Sequence, residues 1–141
     1  MLSNYFRYLA VDLGAKRVGL AHTDLLRTIA SPLETVANDA LWSKLDQLIA
    51  TNEYRGIIVG WPLEMDGNEG TSVDRVRTFI RSCTKRYPTV EIHKVDERYS
   101  SKEAAQVLID SGTSKKKRQE KGRLDRIAAS IILQRFLDHQ R

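Results

Sequence analysis

Tyr8-Leu9-Ala10-Val11-Asp12-Leu13-Gly14-Ala15-Lys16-Arg17-Val18-Gly19-Leu20 is the stretch that decides the fold. Its opening run is apolar without alternation, as in a strand covered on both faces. Gly14-Ala15-Lys16 suits a tight turn, and residues 18–23 read as a second strand with Val18, Leu20 and His22 on one face. Residues 28–36 supply a third strand, which Pro32 assigns to a sheet edge or a bulge. The opening is therefore an antiparallel meander. Asp12 stands out because an isolated carboxylate ending an apolar strand is costly to bury. The same residue can also start a turn with Gly14, and the local sequence leaves both readings open.

Working outward, Asn38 or Asp39 is in place to cap a helix carrying Leu41, Leu45, Leu48 and Ile49. Residues 56–60 read as a short buried strand, and residues 61–70 as a loop broken by Pro62, Gly67 and Gly70. Val73, Val76, Ile80 and Cys83 form the apolar stripe of the next helix, while Arg77, Arg81 and Lys85 line up four apart on an ordinary exposed face. Residues 90–95 form a further strand. Ser100 and Glu103 have capping-box spacing, and Gly112 ends the helix they open. A basic connector, residues 114–121, leads to a last helix over residues 122–137 with Leu124, Ile127, Ala128, Ile131 and Phe136 as its core. Strands separated by helices pair parallel, so the expected fold is α/β, a five-stranded mixed sheet flanked by helices. This is the strand and helix order of the RNase H-like fold, expected as a single domain over residues 1–141.

The chain has 141 residues, enough to bury a core without disulfides or structural metals. Cys83 is the only cysteine, which excludes an internal disulfide and fits a reducing compartment with a buried, inert thiol. Residues 1–10 carry no long apolar run after a basic start, and no apolar stretch approaches membrane-span length. A soluble cytoplasmic protein with no membrane partner is expected. The net charge of +5 favours an acidic partner such as nucleic acid.

Three acids, Asp12, Glu97 and Asp125, are candidates to converge from the first strand, a later strand end and the last helix. Each has a plainer account: a turn for Asp12, a solvated pair with Arg98 for Asp96 or Glu97, and the helix dipole for Asp125. Together they suit Mg2+ (or Mn2+), which takes a few carboxylates plus water and phosphate oxygens. Two such ions can steady both oxygens of a phosphodiester displacement. Lys115, Lys116, Lys117, Arg118, Lys121, Arg123 and Arg126 cluster around Asp125. Of these, all but Arg126 join Lys16 and Arg98 as candidate nucleic-acid contacts. Ser100 reads as a helix cap and not a nucleophile. His22, His93 and His139 lack metal-ligand spacing.

Four blocks carry a resemblance. Residues 11–19, Val59-Gly60-Trp61-Pro62-Leu63 with Asp66-Gly67, Asp96-Glu97-Arg98 with Ser100-Ser101 and Glu103-Ala104, and Lys121-Gly122-Arg123-Leu124-Asp125 with Ala128-Ala129 resemble the YqgF/RuvX family. Its members are named as pre-16S rRNA nucleases and were formerly named as Holliday junction resolvases. The resemblance implies an RNase H-like fold and metal-dependent phosphodiester hydrolysis, acting on structured RNA such as pre-16S rRNA or on branched DNA. It carries catalytic and metal-binding roles onto Asp12, Glu97 and Asp125. Related resolvases keep an acid near the end of the fourth strand, where this chain has Gly60-Trp61, so Glu97 is expected to substitute. Arg98 is expected to pair with Glu97. Cutting a junction on two strands would need a dimer, whereas trimming RNA would not.

Two readings outside nucleases are also compatible with the sequence. One is a non-catalytic nucleic-acid-binding factor on the same fold. The other follows from Asp12-Leu13-Gly14, which also resembles the first phosphate loop of sugar kinases and actin-like ATPases; those need two lobes, and 141 residues supply one.

Overall fold

The computed structural model describes residues 4–64, 66–118 and 122–140, and of residues 117 and 118 the backbone alone. The predicted meander is present. β1 (Arg7–Leu13) pairs antiparallel with β2 (Arg17–Thr23), and β2 pairs antiparallel with β3 (Ala30–Ala37). β4 (Tyr54–Trp61) lies parallel to β1 on its other side, and β5 (Glu91–Asp96) lies parallel to β4. The sheet order is β3-β2-β1-β4-β5, which puts β1 at the centre and β3 at an edge. Leu20 faces Glu34 while Ala21 faces Pro32, so Leu33 is the extra residue of a bulge. Pro32 thus stands at both an edge and a bulge, where its missing N–H costs least.

Successive β1 residues serve opposite cores. Leu9 and Val11 join Ile57, Val59, Leu45, Val73 and Val76 on the face covered by α1 (Leu41–Ile49) and α2 (Ser72–Arg86). Tyr8 and Ala10 join Ile58, Ile132, Leu133 and Phe136 on the face covered by α5 (Arg123–His139). Burying one such aliphatic side chain contributes about 1.5–3 kcal/mol, so the apolar β1 run ties both layers together. α3 (Ser100–Asp110) packs on α5, and a short α4 (Lys115–Arg118) occupies part of the predicted connector.

Several local expectations are corrected. Asn38 does not cap α1. A 3-10 turn over Asn38–Ala40 precedes that helix, and Asn38 Nδ2 donates to the Ala15 carbonyl at 3.0 Å. Ser100 does not cap α3 either. Tyr99 occupies the cap position with φ 68°, Ser100 is buried, and Glu103 pairs with Arg135 of α5 at 2.8 Å. The stop at Gly112 holds: at φ 76° it donates to Ile109 while Thr113 donates to Leu108, the paired bonds of a Schellman ending. In α2, Phe79 is buried and Ile80 only partly so. The buried stripe of α5 is Ala128, Ala129, Ile132, Leu133, Phe136 and Leu137, with Leu124, Ile127 and Ile131 half-buried beside it. Cys83 is fully buried, and burial pushes its thiol up to about 12, as suits an inert packing residue.

Candidate active site

Asp12 is the next-to-last residue of β1 and lies opposite Gly19 of β2. Gly19 makes room for the last helix. A Cβ added there would fall 2.1 Å from the Asp125 carbonyl oxygen. The small pair Ala128-Ala129 in the following turn is fully buried. At the start of α5, Gly122 adopts φ 86°, and the Thr35 hydroxyl of β3 donates to its carbonyl. These contacts fix Asp125, in the first turn of α5, beside the end of β1.

Glu97 arrives from the other side. Its backbone N–H donates to the Trp61 carbonyl at 3.1 Å, which extends the β4–β5 pairing by one residue. Its side chain then turns back over Gly60, where an added Cβ would meet Glu97 Oε2 at 2.6 Å. The glycine near the end of β4 is therefore the space that Glu97 fills.

The Asp12 and Glu97 carboxyl groups come close enough in the cleft that each shifts the titration of the other, and two such groups approach without repulsion only if one keeps a proton. Burial raises Glu97 most, and the neighbouring Asp12 carboxyl raises it further, to about 9. Burial also raises Asp12, with the charge of Asp125 adding to the effect and Arg75 opposing it. Without a cation, the pair shares a proton at neutral pH. Asp125 is held differently: Arg17 Nε donates to its Oδ2 at 2.8 Å.

All three acids line one open cleft of about 570 Å3, together with Leu13, Gly14, Pro62, Arg98 and Lys102. Among the described residues, no set of three His, Cys, Asp or Glu side chains is yet arranged around a point where an ion would sit. Asp12 and Glu97 face each other while Arg17 holds the third acid. Arg98 pairs with Asp96 and not with Glu97: its Nη2 lies 2.7 Å from Asp96 Oδ2, and its backbone N–H donates to Asp96 Oδ1. The strand geometry explains this, because the Glu97 side chain is directed inward over Gly60 and Asp96 remains at the rim. Lys16, Lys115 and Lys116 are exposed outside the cleft lining, and Arg123 is half-buried in the first turn of α5. The side chains of Lys117 and Arg118, and all of Lys121, lie outside the described residues.

Sequence reasoning missed two cleft residues and one clamp beside them. Arg75 of α2 donates to the Leu13 and Gly14 carbonyls, each at 2.9 Å, and so clamps the β1–β2 turn. Lys102, in the first turn of α3, adds a cation to the lining. Tyr99 stands half exposed at the rim with a left-handed backbone. That conformation costs an L-residue roughly 1–2 kcal/mol. Tyr99→Gly is expected to raise stability by about 0.5–1 kcal/mol, since glycine's own entropy cost offsets part of the relief. Denaturant melts measure the effect, and a variant no more stable than the parent would contradict this.

The family model described as "RuvX: Holliday junction resolvase" matches residues 6–139. The chain belongs to the RuvX family. Among curated relatives, a protein of Prosthecochloris aestuarii named "Putative pre-16S rRNA nuclease" is 40% identical over 96% of this chain and 95% of its own length. A protein of the same name from Flavobacterium johnsoniae is 38% identical over 96% of this chain and 98% of its own length. Among solved structures, Thermus thermophilus RuvC superposes with a TM-score of 0.56 at 13% identity, over 96% of both chains. RuvC in complex with a Holliday junction substrate gives 0.55 at 11% identity, again over 96% of both. The RuvX chain thus has the RNase H-like fold read from its element order, carried by strand order and helix packing with little shared sequence.

Proposed function

We propose that this RuvX chain is a single-domain, divalent-metal-dependent endonuclease of the cytoplasm that hydrolyses phosphodiester bonds in structured RNA, processing the 5′ end of pre-16S rRNA. The observation that carries the reading is the contact between Asp12 and Glu97, brought from β1 and the end of β5 into one cleft with Asp125. A desolvated pair of carboxyl groups that must share a proton is a favourable place for a hard cation, and oxygen donors of this kind suit Mg2+ or Mn2+. Asp12, Glu97 and Asp125 are the residues that would hold it. When bound, such an ion neutralises charge on the reacting phosphate oxygens. The protein's part is to keep Asp12 and Glu97 rigid on strand ends and to position the phosphodiester with Lys16, Arg98, Lys115, Lys116, Lys117, Arg118, Lys121 and Arg123. The names borne by the relatives support RNA as the substrate. No helix among the described residues is long and apolar enough to cross a membrane.

The test offers purified protein, with Mg2+ or Mn2+, a 5′-extended 16S precursor and a four-way DNA junction. Discrete cleavage of the RNA supports the reading, and an inert protein under both metals overturns it. The family description and the RuvC neighbour favour a second reading, a resolvase of branched DNA. Paired symmetrical cuts in the junction by a dimer would support that one. If Asp12→Asn keeps full biological activity, the chain is a binding factor and not a nuclease.

The Arg17–Asp125 ion pair yields a prediction of its own. Arg17→Gln frees the third acid and removes a positive charge from the cleft. Mn2+ affinity in the absence of nucleic acid should rise about 2- to 5-fold, within what a partly exposed ion pair of up to about 1 kcal/mol allows. Calorimetric titration measures it, and unchanged or weaker Mn2+ binding would show that Asp125 takes no part.

A further inference from the structure

A second concavity, of about 640 Å3, lies between α2 and the edge strand β5. Its lining is amphipathic. Trp61, Ile80 and Ile92 are buried or half-buried and supply an apolar floor. Arg77, Arg81, Lys85 and Lys94 are exposed around it, and no carboxylate belongs to the lining. Arg77 is occupied by Glu69 and Asp74 and lies 5.5 Å from the Trp61 ring, while Lys94 Nζ sits 4.3 Å from the ring centroid. Arg81 and Lys85 have no carboxylate partner among the described residues, and at four-residue spacing they step along α2 by about 6 Å.

The groove starts where the cleft ends. Trp61 precedes the cleft residues Pro62 and Leu63, and its carbonyl accepts from Glu97. Lys94 of β5 lies three residues before Glu97 and presents its side chain on the opposite sheet face, beside the Trp61 ring. A chain leaving the cleft over Pro62 would therefore meet Lys94 and Arg77 first, then Arg81 and Lys85.

We propose that this groove is a track for a single-stranded segment of the nucleic acid, flanking the bond held in the cleft. The charge selects a polyanion. The apolar floor selects a single strand, because unpaired bases can turn a face to apolar side chains while their phosphates meet the cations, whereas a duplex keeps its bases stacked inside. The inference rests on the nucleic-acid-processing reading above and adds the flank, its single-strandedness and the residues that hold it. A competing occupant is an acidic peptide adding a strand to β5, whose outer edge is unpaired among the described residues.

The experiment compares two RNAs by fluorescence anisotropy in the presence of Ca2+: a blunt stem, and the same stem with a ten-nucleotide single-stranded extension. The wild type should bind the extended RNA more tightly. The double variant Arg81→Ala/Lys85→Ala changes two exposed side chains away from the three acids. It should lose roughly tenfold in affinity for the extended RNA at low salt and almost nothing for the blunt stem. The slope of log affinity against log salt should fall by about 1.4, the value for two lost phosphate contacts on a single strand. Equal affinity of the wild type for both RNAs, or an equal loss on both in the variant, overturns the track. So does a polyglutamate peptide that binds the wild type, needs Arg81 and Lys85, and leaves the RNA difference unaffected. Circular dichroism melts of the variant exclude unfolding as the cause. Cleavage is scored separately on the wild type, so a protein that discriminates the extension but never cuts would refute the nuclease and leave the track standing.

Discussion

Asp12→Asn is expected to slow phosphodiester cleavage on the order of a thousandfold or more, since an ion's stabilisation of transition-state charge is worth several kcal/mol. Nucleic-acid affinity should change little. The same substitution should make the metal-free protein more stable. Asp12 and Glu97 both titrate higher in the folded protein than in the unfolded chain, so the folded state holds the extra proton. Their contribution to stability is complete below the ordinary carboxylate range. It is lost as pH rises through the folded value, about 9 for Glu97. The parent protein in EDTA should therefore lose stability between about pH 4.5 and 9. In Asp12→Asn one charge of the pair is gone and the loss should be shallower. A gain of about 1–2 kcal/mol at pH 8 corresponds to roughly 2–8 °C in Tm for a chain of this size. Calorimetry at pH 6 and pH 8 in EDTA measures the gain, and single-turnover cleavage measures the defect. A variant that melts lower than the parent, or cuts at the parental rate, would remove Asp12 from the role given to it.

Gly19→Ala is the second substitution with a large expected effect, although it alters no polar group. The new methyl would stand 2.1 Å from the Asp125 carbonyl oxygen and 2.4 Å from its carbon, both backbone atoms that cannot rotate away. Relief requires α5 to lift from the sheet or β2 to bend. Overpacking of this kind costs about 1–3 kcal/mol. Lifting α5 also moves Asp125, and a displacement near 1 Å costs on the order of a hundredfold in rate. Urea melts and cleavage kinetics should show both losses together. Full activity with reduced stability would mean that the position of Asp125 is unimportant. The control Ala15→Gly, in the exposed β1–β2 turn, should leave cleavage unchanged.

What the sequence made legible were the parts that depend on neighbours in the chain. The β1 run is apolar on both faces because helices cover both faces, and that is visible in Leu9-Ala10-Val11 alone. Pro32 announced its edge and bulge through a missing donor. The three acids could be gathered into one cleft because strand ends and a first helical turn leave few places for them. What escaped depends on distant partners. Arg17 and Asp125 are 108 residues apart, and nothing near either one encodes their contact. Ser100 has the residue types of a cap, but the chain enters α3 through a left-handed Tyr99 and buries the hydroxyl instead. Asn38 finds the Ala15 carbonyl across the β1–β2 turn before it can reach a helical N–H. Arg98 turns to Asp96 because Glu97 has already been directed inward by the space above Gly60.

Room above position 60 and a carboxylate at position 97 depend on each other: a side chain added at Gly60 would collide with Glu97, and a smaller residue at 97 would leave a void beside Ile132.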